Sequence, residues 1–275
     1  MRPGRGLFLF ERGEAHTYEK ESFIIDTISL LQWNILYSEP IDHIAEFLLQ
    51  HKPDIICLQE LTIGAPGQTV HDTPAYLAKA LGYHYHTKEL PIVGTDGTRM
   101  LLANGIFSRF PLTNQTSAWI NEPSDDAGGF NNEYRAYIEA TLELSDGKTL
   151  TIGTTHMSYT HRFEPTPAKR AETNKLLELI TPHKANYIFT GDLNALPDSY
   201  TIQKLGRKLQ HLGPDVAEKS WTTKPFSYRG FEANTLDWRL DYAFATPDIE
   251  VISSQILSTD YSDHLPVRVA VKVPA

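Results

Sequence analysis

NYIFTGDLNALPDS, residues 186–199, is where an apolar run gives way to paired polar side chains, and the rest of the chain is read from it. The stretch opens on Tyr187-Ile188-Phe189, of the length and composition of a buried strand. Thr190-Gly191 breaks that run, Asp192 and Asn194 follow, and Leu196-Pro197 turns the chain again. Residues two apart on extended backbone project to the same side. The strand end therefore offers a carboxylate and a carboxamide side by side. That pair suits phosphate-ester chemistry: an Asp moves a proton, and an Asn donates hydrogen bonds to a charged oxygen without changing charge. The plainer alternative is an Asp/Asn-rich turn whose side chains bond their own backbone.

Earlier in the chain, residues 24–36 (IIDTISLLQWNIL) read as a strand rich in branched and aromatic residues, interrupted at Trp33-Asn34. Pro40 opens a helical pattern with Ile41, Ile44, Ala45, Leu48 and Leu49 on one face. Residues 54–58 are a second buried strand ending at Gln59-Glu60, and Thr73-Pro74 starts a short helix that Gly82 stops. His84 and His86 alternate with tyrosines, which fits a strand with one solvated face better than a metal pair. Residues 104–112 lead from a strand into a turn, and 121–133 form a loop placed to rim a pocket. A hairpin joins 135–144 to 150–157 across Ser145-Asp146-Gly147, with His156 at its end. Helices follow over 168–180 and 200–209, and a strand over 237–246 carries Asp241. Ser262-Asp263-His264-Leu265-Pro266 then precedes a closing strand of alternating valines. Strands alternate with helices but hairpins intervene, so one mixed α/β domain over 26–275 is expected rather than a purely parallel sheet. Residues 1–25 are expected to be an extension or a peripheral strand.

Composition bounds the function. At 275 residues and 41% hydrophobic content, the chain can bury a large core without staples. Its single cysteine, Cys57, excludes an internal disulfide framework and sits in an apolar run as a core residue. A net charge of −9 argues against holding long nucleic acid by phosphate neutralisation, although a local basic groove would fit inside an acidic total. The apolar patch at residues 7–10 is too short for a signal peptide or a membrane span of about 20 residues. A cytoplasmic monomer is the expectation.

Polar residues stand where apolar runs stop: Asn34, Glu60, His156, Asp192, Asn194, Asp241, Asp263 and His264. In layered folds, strand ends collect on one face and form ligand sites. Oxygen ligands such as Glu60 suit Mg²⁺ or Mn²⁺, and no cysteine joins the set to suggest structural zinc. Asp263-His264, with Asp241 available to orient the imidazole, supplies a base near neutral pH. There is no GxxxxGK[ST] loop and no GxSxG elbow. Water attack on a metal-polarised phosphate fits best.

WNIL with Asn34, LQE with Glu60, TTH with His156, GDLN with Asp192 and Asn194, RLDYAF with Asp241, and SDHLP with Asp263 and His264 resemble, in order, the motifs of the endonuclease/exonuclease/phosphatase superfamily. The resemblance implies an α+β fold: a four-layer α/β/β/α sandwich with two mixed sheets packed face to face. It also implies divalent-metal phosphoester hydrolysis. Glu60 would be the main Mg²⁺ ligand, with Asn34 and Asp263 nearby. His264, oriented by Asp241, would contact phosphate or activate water. Asp192 would take part in proton transfer, Asn194 would hold substrate or the attacking water, and His156 would stabilise the pentacovalent phosphate or assist the leaving group. The choice of general base between Asp192 and His264 stays open.

TTH is unlike the motif usual in the AP endonucleases of that superfamily, which favours its phosphodiesterase, phosphatase and deoxyribonuclease branches. Three functions remain: hydrolysis of a small or lipid-derived phosphoester, a DNA or RNA nuclease, and an inactive binding module that the complete motif set disfavours. The cationic candidates for phosphate contact are Arg99, Arg135, His161 and Arg162, although each is better read as an ordinary surface residue.

Overall fold

Side-chain alternation along β1 (Ile28–Asn34) divides the chain into layers. Ile28 and Leu30 enter one apolar cluster, and Leu31 and Trp33 enter another on the opposite face. In the computed structural model, which describes residues 27–93, 99–123, 133–144 and 147–274, β1 lies inside a six-stranded mixed sheet. The expected extension over 1–25 lies outside the described residues.

In chain order, β1 leads to α1 (Ile41–His51), β2 (Ile55–Ile63), α2 (Thr73–Leu81), β3 (His84–Val93) and β4 (Arg99–Ser108). Then come β5 (Leu112–Asn121), β6 (Arg135–Glu143), β7 (Thr149–His156), α3 (Pro167–Ile180), β8 (Tyr187–Asp192) and α4 (Tyr200–Gly206). Short strands β9 (Gln210–His211), β10 (Phe226–Tyr228) and β11 (Phe231–Ala233) precede β12 (Asp241–Ala245), β13 (Glu250–Ile256) and β14 (Val267–Lys272). One sheet has the order β13-β14-β1-β2-β4-β3, the other β5-β6-β7-β8-β12-β9, and β10-β11 form a separate hairpin. The parallel pairs are β1 with β2 and β7 with β8.

The two sheets pack face to face through Leu30, Ile55, Cys57 and Ile106 from one and Ile138, Ile152, Ile188 and Ala243 from the other. Burying each large aliphatic side chain here contributes about 1.5–3 kcal/mol. Helices α1 and α2 cover the outer face of the first sheet over Trp33, Ile56 and Leu58. Helices α3 and α4 cover the second over Tyr187, Phe189 and Phe244. The four-layer sandwich is as the resemblance implied, and Cys57 is a buried core thiol whose pKa burial pushes up to about 12.

Three boundaries differ from expectation. Strand β2 runs past Gln59-Glu60 to Ile63 across a register shift between Leu58 and Leu61. The strand expected over 237–246 begins at Asp241, and the helix expected over 200–209 ends at Gly206. Strands β5 and β13 carry no apolar alternation because both are edge strands with largely exposed side chains.

Candidate active site

The inner faces of the central strands turn from apolar to polar at one end of the sandwich. On β1 the inner series runs Ile28, Leu30, Gln32, Asn34; on β7, Ile152, Thr154, His156; on β8, Ile188, Thr190, Asp192. Asp241 begins β12 directly opposite Asp192 in the antiparallel register. The strand-end residues therefore converge because two-residue periodicity and aligned strands leave them on the same face.

Glu60 is the exception that a bulge repairs. Simple alternation would send it outward with Ile56 and Leu58, towards α1 and α2. At the bulge Glu60 adopts a left-handed φ of 64°, and Leu61 takes the outward position instead. The carboxylate then accepts from Asn34 Nδ2 at 2.9 Å and from the Tyr37 backbone N–H at 3.0 Å. A non-glycine residue in that conformation, at a strand irregularity beside a cleft, marks a re-aimed side chain.

A cleft of about 380 Å³ brings together Asn34, Glu60, His156, Asp192, Asn194, Asp263 and His264, that is, every expected site residue except Asp241. Asp241 is fully buried directly behind His264, with its Oδ2 2.8 Å from His264 Nδ1. Asn34 Nδ2 also donates to Asp192 Oδ2 at 3.0 Å, so one amide joins the Glu60 side to the Asp192 side. Asp192 Oδ2 lies 3.4 Å from His156 Nε2 and 3.6 Å from His264 Nε2. The Asn194 backbone N–H donates to Asp192 Oδ1, and its Nδ2 donates to Met157 O and lies 3.2 Å from His156 Nε2. Trp221 Nε1 donates to Asp263 Oδ2 at 3.0 Å, and Trp33 Nε1 donates to His264 O at 2.8 Å.

The electrostatics separate the groups. Burial raises the Asp192 carboxyl to about 6, with Asp241 adding to that and His264 opposing it. Burial alone would lower His264, but Asp241, Asp192 and Asp263 outweigh it and hold the imidazole well above its ordinary value. His156 goes the other way, held well below by burial and by the Arg135 charge. Two histidines beside one carboxylate thus favour different protonation states, as general acid–base chemistry requires.

Two groupings bear on a metal. Asp192, Asp241 and His264 place ligand-capable atoms within 4.8 Å of one another. The direct Asp241–His264 bond already uses the imidazole Nδ1, so this trio is organised around that hydrogen bond, with Asp192 Oδ2 3.6 Å from His264 Nε2. Glu60 is raised by burial and then by the Asp263 carboxylate. Among the described residues, no lysine or arginine forms an ion pair with either of those two acids. Two carboxylates that lack a cationic partner and raise each other's charge cost, with no sulfur ligand beside them, fit a hard divalent ion. Asn34 Oδ1 accepts from the Leu36 N–H while Nδ2 faces Glu60 and Asp192.

A polar layer beneath these residues escaped sequence reasoning. Gln32 and Gln59 bond each other through both amides, and Gln59 Nε2 reaches Thr154 Oγ1 at 3.1 Å. Thr190 Oγ1 also donates to Thr154 Oγ1 at 3.1 Å. The available signal was a polar side chain two positions before Asn34, His156 and Asp192. Trp221 was missed too, since it lies outside any regular strand. Of the cationic candidates, Arg135 lines the cleft and is 3% exposed, contrary to a surface role. Arg162 is exposed and His161 packs beside Tyr228 and Phe231, neither lining the cleft. The Arg99 side chain lies outside the described part.

The model of the Endonuclease/Exonuclease/phosphatase family matches residues 31–264. Among solved structures, an endonuclease/exonuclease/phosphatase from Beutenbergia cavernae superposes with a TM-score of 0.73 at 22% identity, covering 91% of this chain and 72% of that one. The human Nocturnin catalytic domain with bound sulfate anion gives 0.65 at 22%, covering 90% and 94%. A mannosyl-6-phosphatase from Bacteroides thetaiotaomicron gives 0.59 at 20%, covering 89% and 99%. Comparison with curated protein sequences finds no match.

Proposed function

The chain belongs to the Endonuclease/Exonuclease/phosphatase family, and on that basis we propose that it hydrolyses a phosphate ester with Mg²⁺ or Mn²⁺ as cofactor. The observation that carries this is the two-sided cleft floor, with Glu60 and Asp263 on one side and Asp192 with the Asp241–His264 pair on the other, joined by Asn34. Glu60 would hold the cation with Asp263 and Asn34 beside it, and the cation would supply charge to a phosphate oxygen.

The chain's own residues do the rest. Asp192, with a carboxyl near 6, accepts a proton from water at neutral pH. His264, kept cationic by Asp241, donates a hydrogen bond to a non-bridging phosphate oxygen through Nε2. Asn194 and His156 hold the reacting group from the ends of β8 and β7, and the Asn194 amide keeps its charge state throughout.

A small or lipid-derived substrate is favoured over nucleic acid. The cleft walls are Tyr159, Phe163, Trp221, Phe226 and Tyr228 on one side and Ile92, Met100 and Leu102 on the other. Those walls suit an apolar or ring-bearing alcohol, and among the described residues they offer no basic strip for a long phosphate backbone. The test sets p-nitrophenyl phosphate, bis-p-nitrophenyl phosphate, plasmid DNA and a short RNA side by side with Mg²⁺, Mn²⁺ and EDTA. Cation-dependent turnover of a small ester with intact nucleic acids supports the proposal. DNA nicking or RNA shortening at higher kcat/KM would replace it with a nuclease.

A further inference from the structure

Every acid on the cleft surface but one has a place in the chemistry above. The remaining one, Glu133, faces Arg135, and the two form an ion pair at 2.5 Å from Oε2 to the guanidinium Nη2. Arg135 is the only lysine or arginine among the described residues lining the cleft. It is 3% exposed, and its Nε is buried with no hydrogen-bond partner among the described residues. Fully charged at any physiological pH, a guanidinium is costly to bury with a donor unmatched. One arm of the fork is held by Glu133, and an anion in the cleft would satisfy what is left.

The place of this charge limits which anion. Arg135 begins β6, and its charge acts on His156 at the end of neighbouring β7. Glu60 and Asn34 belong to the other sheet. A phosphate bound between the sheets would therefore meet His264 and the Glu60 side across the floor, and Arg135 from the β6 edge. A diester carries one negative charge over two non-bridging oxygens. A monoester above its second pKa of about 6 carries nearly two over three. A third cationic contact is matched by the third oxygen.

We propose that Arg135 is a substrate-binding residue that selects a phosphate monoester dianion over a diester. This rests on the phosphoester reading of the same cleft, and it names the substrate class. Glu133 is the positioning residue that aims the guanidinium.

The test uses the full chain as wild type, Arg135→Gln and Arg135→Lys, with melting temperatures to confirm folding. Two quantities are read: kcat/KM on p-nitrophenyl phosphate and on bis-p-nitrophenyl phosphate, and the dissociation constant of inorganic phosphate by calorimetry. The expected result is a ten- to hundred-fold loss for the monoester and for phosphate in Arg135→Gln. The diester should change less than three-fold, and Arg135→Lys, which keeps the charge without the fork, should fall between. An equal loss on both esters, or no loss on either, overturns the inference. If Arg135→Gln does not fold, Arg135→Lys alone decides by whether the monoester-to-diester ratio falls. If wild type hydrolyses neither ester, phosphate binding still decides: binding that needs Arg135 supports the anion site while the hydrolase reading fails, and no binding to wild type overturns both.

Discussion

Replacing Asp241 with asparagine keeps the side chain's shape and removes one buried charge, which isolates what that charge does for His264. Asp241 Oδ2 lies 2.8 Å from Nδ1, and Gln32 Nε2 donates to Oδ1 at 3.5 Å, so the substituted amide keeps an acceptor oxygen for one of these two donors and turns its NH2 to the other. Removing one member of a buried charge pair costs about 3–5 kcal/mol. With the Asp241 charge gone, the His264 imidazole should lose the largest contribution that raises it and titrate lower than in wild type. The sign follows from the raised native value. Its stabilisation is present below the ordinary imidazole pKa and is lost as pH rises through the higher native one. The melting-temperature gap between wild type and Asp241→Asn should therefore be widest in acid and close as pH rises. In a serine protease the loss of the orienting carboxylate costs about 10⁴-fold, and here kcat on the preferred ester should fall about 10²- to 10⁴-fold with KM within a few-fold. A proton NMR titration of His264 and steady-state kinetics across pH measure both effects. A variant with wild-type kcat and an unmoved imidazole pKa would mean that Asp241 does not control His264.

Three further outcomes concern the scaffold. Gly191→Ala would place a Cβ 2.4 Å from Thr155 O, forcing β8 from its parallel partner just before Asp192. It should lose at least about 1–3 kcal/mol in urea unfolding. Gln59→Leu strips the Gln32 and Thr154 partners and should cost about 1–3 kcal/mol by the same measurement. His211 is held at about 4 by burial and then by Arg239, below its ordinary 6.5. Because the native state disfavours its charged form, the stability it allows above pH 6.5 is lost as pH falls towards 4. After discounting for partial exposure that loss is about 1–2 kcal/mol, and His211→Gln should flatten this part of the stability–pH curve.

Much of this architecture was legible because burial on two sides leaves a mark. Residues 187–189 and 55–58 sit between a second sheet and a helix layer, so their runs are continuously apolar and easily read as strands. The polar stops at Asn34, His156, Asp192 and Asp241 were legible as strand ends, and two-residue periodicity carries them into one cleft. Strands β5 and β13 were invisible because an edge strand is not buried on both faces. The bulge at Glu60 was invisible for another reason: its left-handed backbone occurs at a residue with no glycine-like preference. Arg135 illustrates the converse limit, since an arginine after a Gly-, Asp- and Asn-rich stretch of sequence reads as surface until the ion pair with Glu133 is seen.

Phosphoester hydrolysis assisted by a divalent cation at Glu60 is the reading on which the rest depends. Its decisive experiment follows p-nitrophenyl phosphate and bis-p-nitrophenyl phosphate turnover as Mg²⁺ is titrated into EDTA-treated wild type and Glu60→Gln. We expect no turnover without the cation, saturable recovery in wild type, and at least about a hundred-fold lower kcat in a folded Glu60→Gln. Equal turnover in EDTA, or a Glu60→Gln variant with wild-type activity and cation dependence, would show that Glu60 holds no catalytic cation.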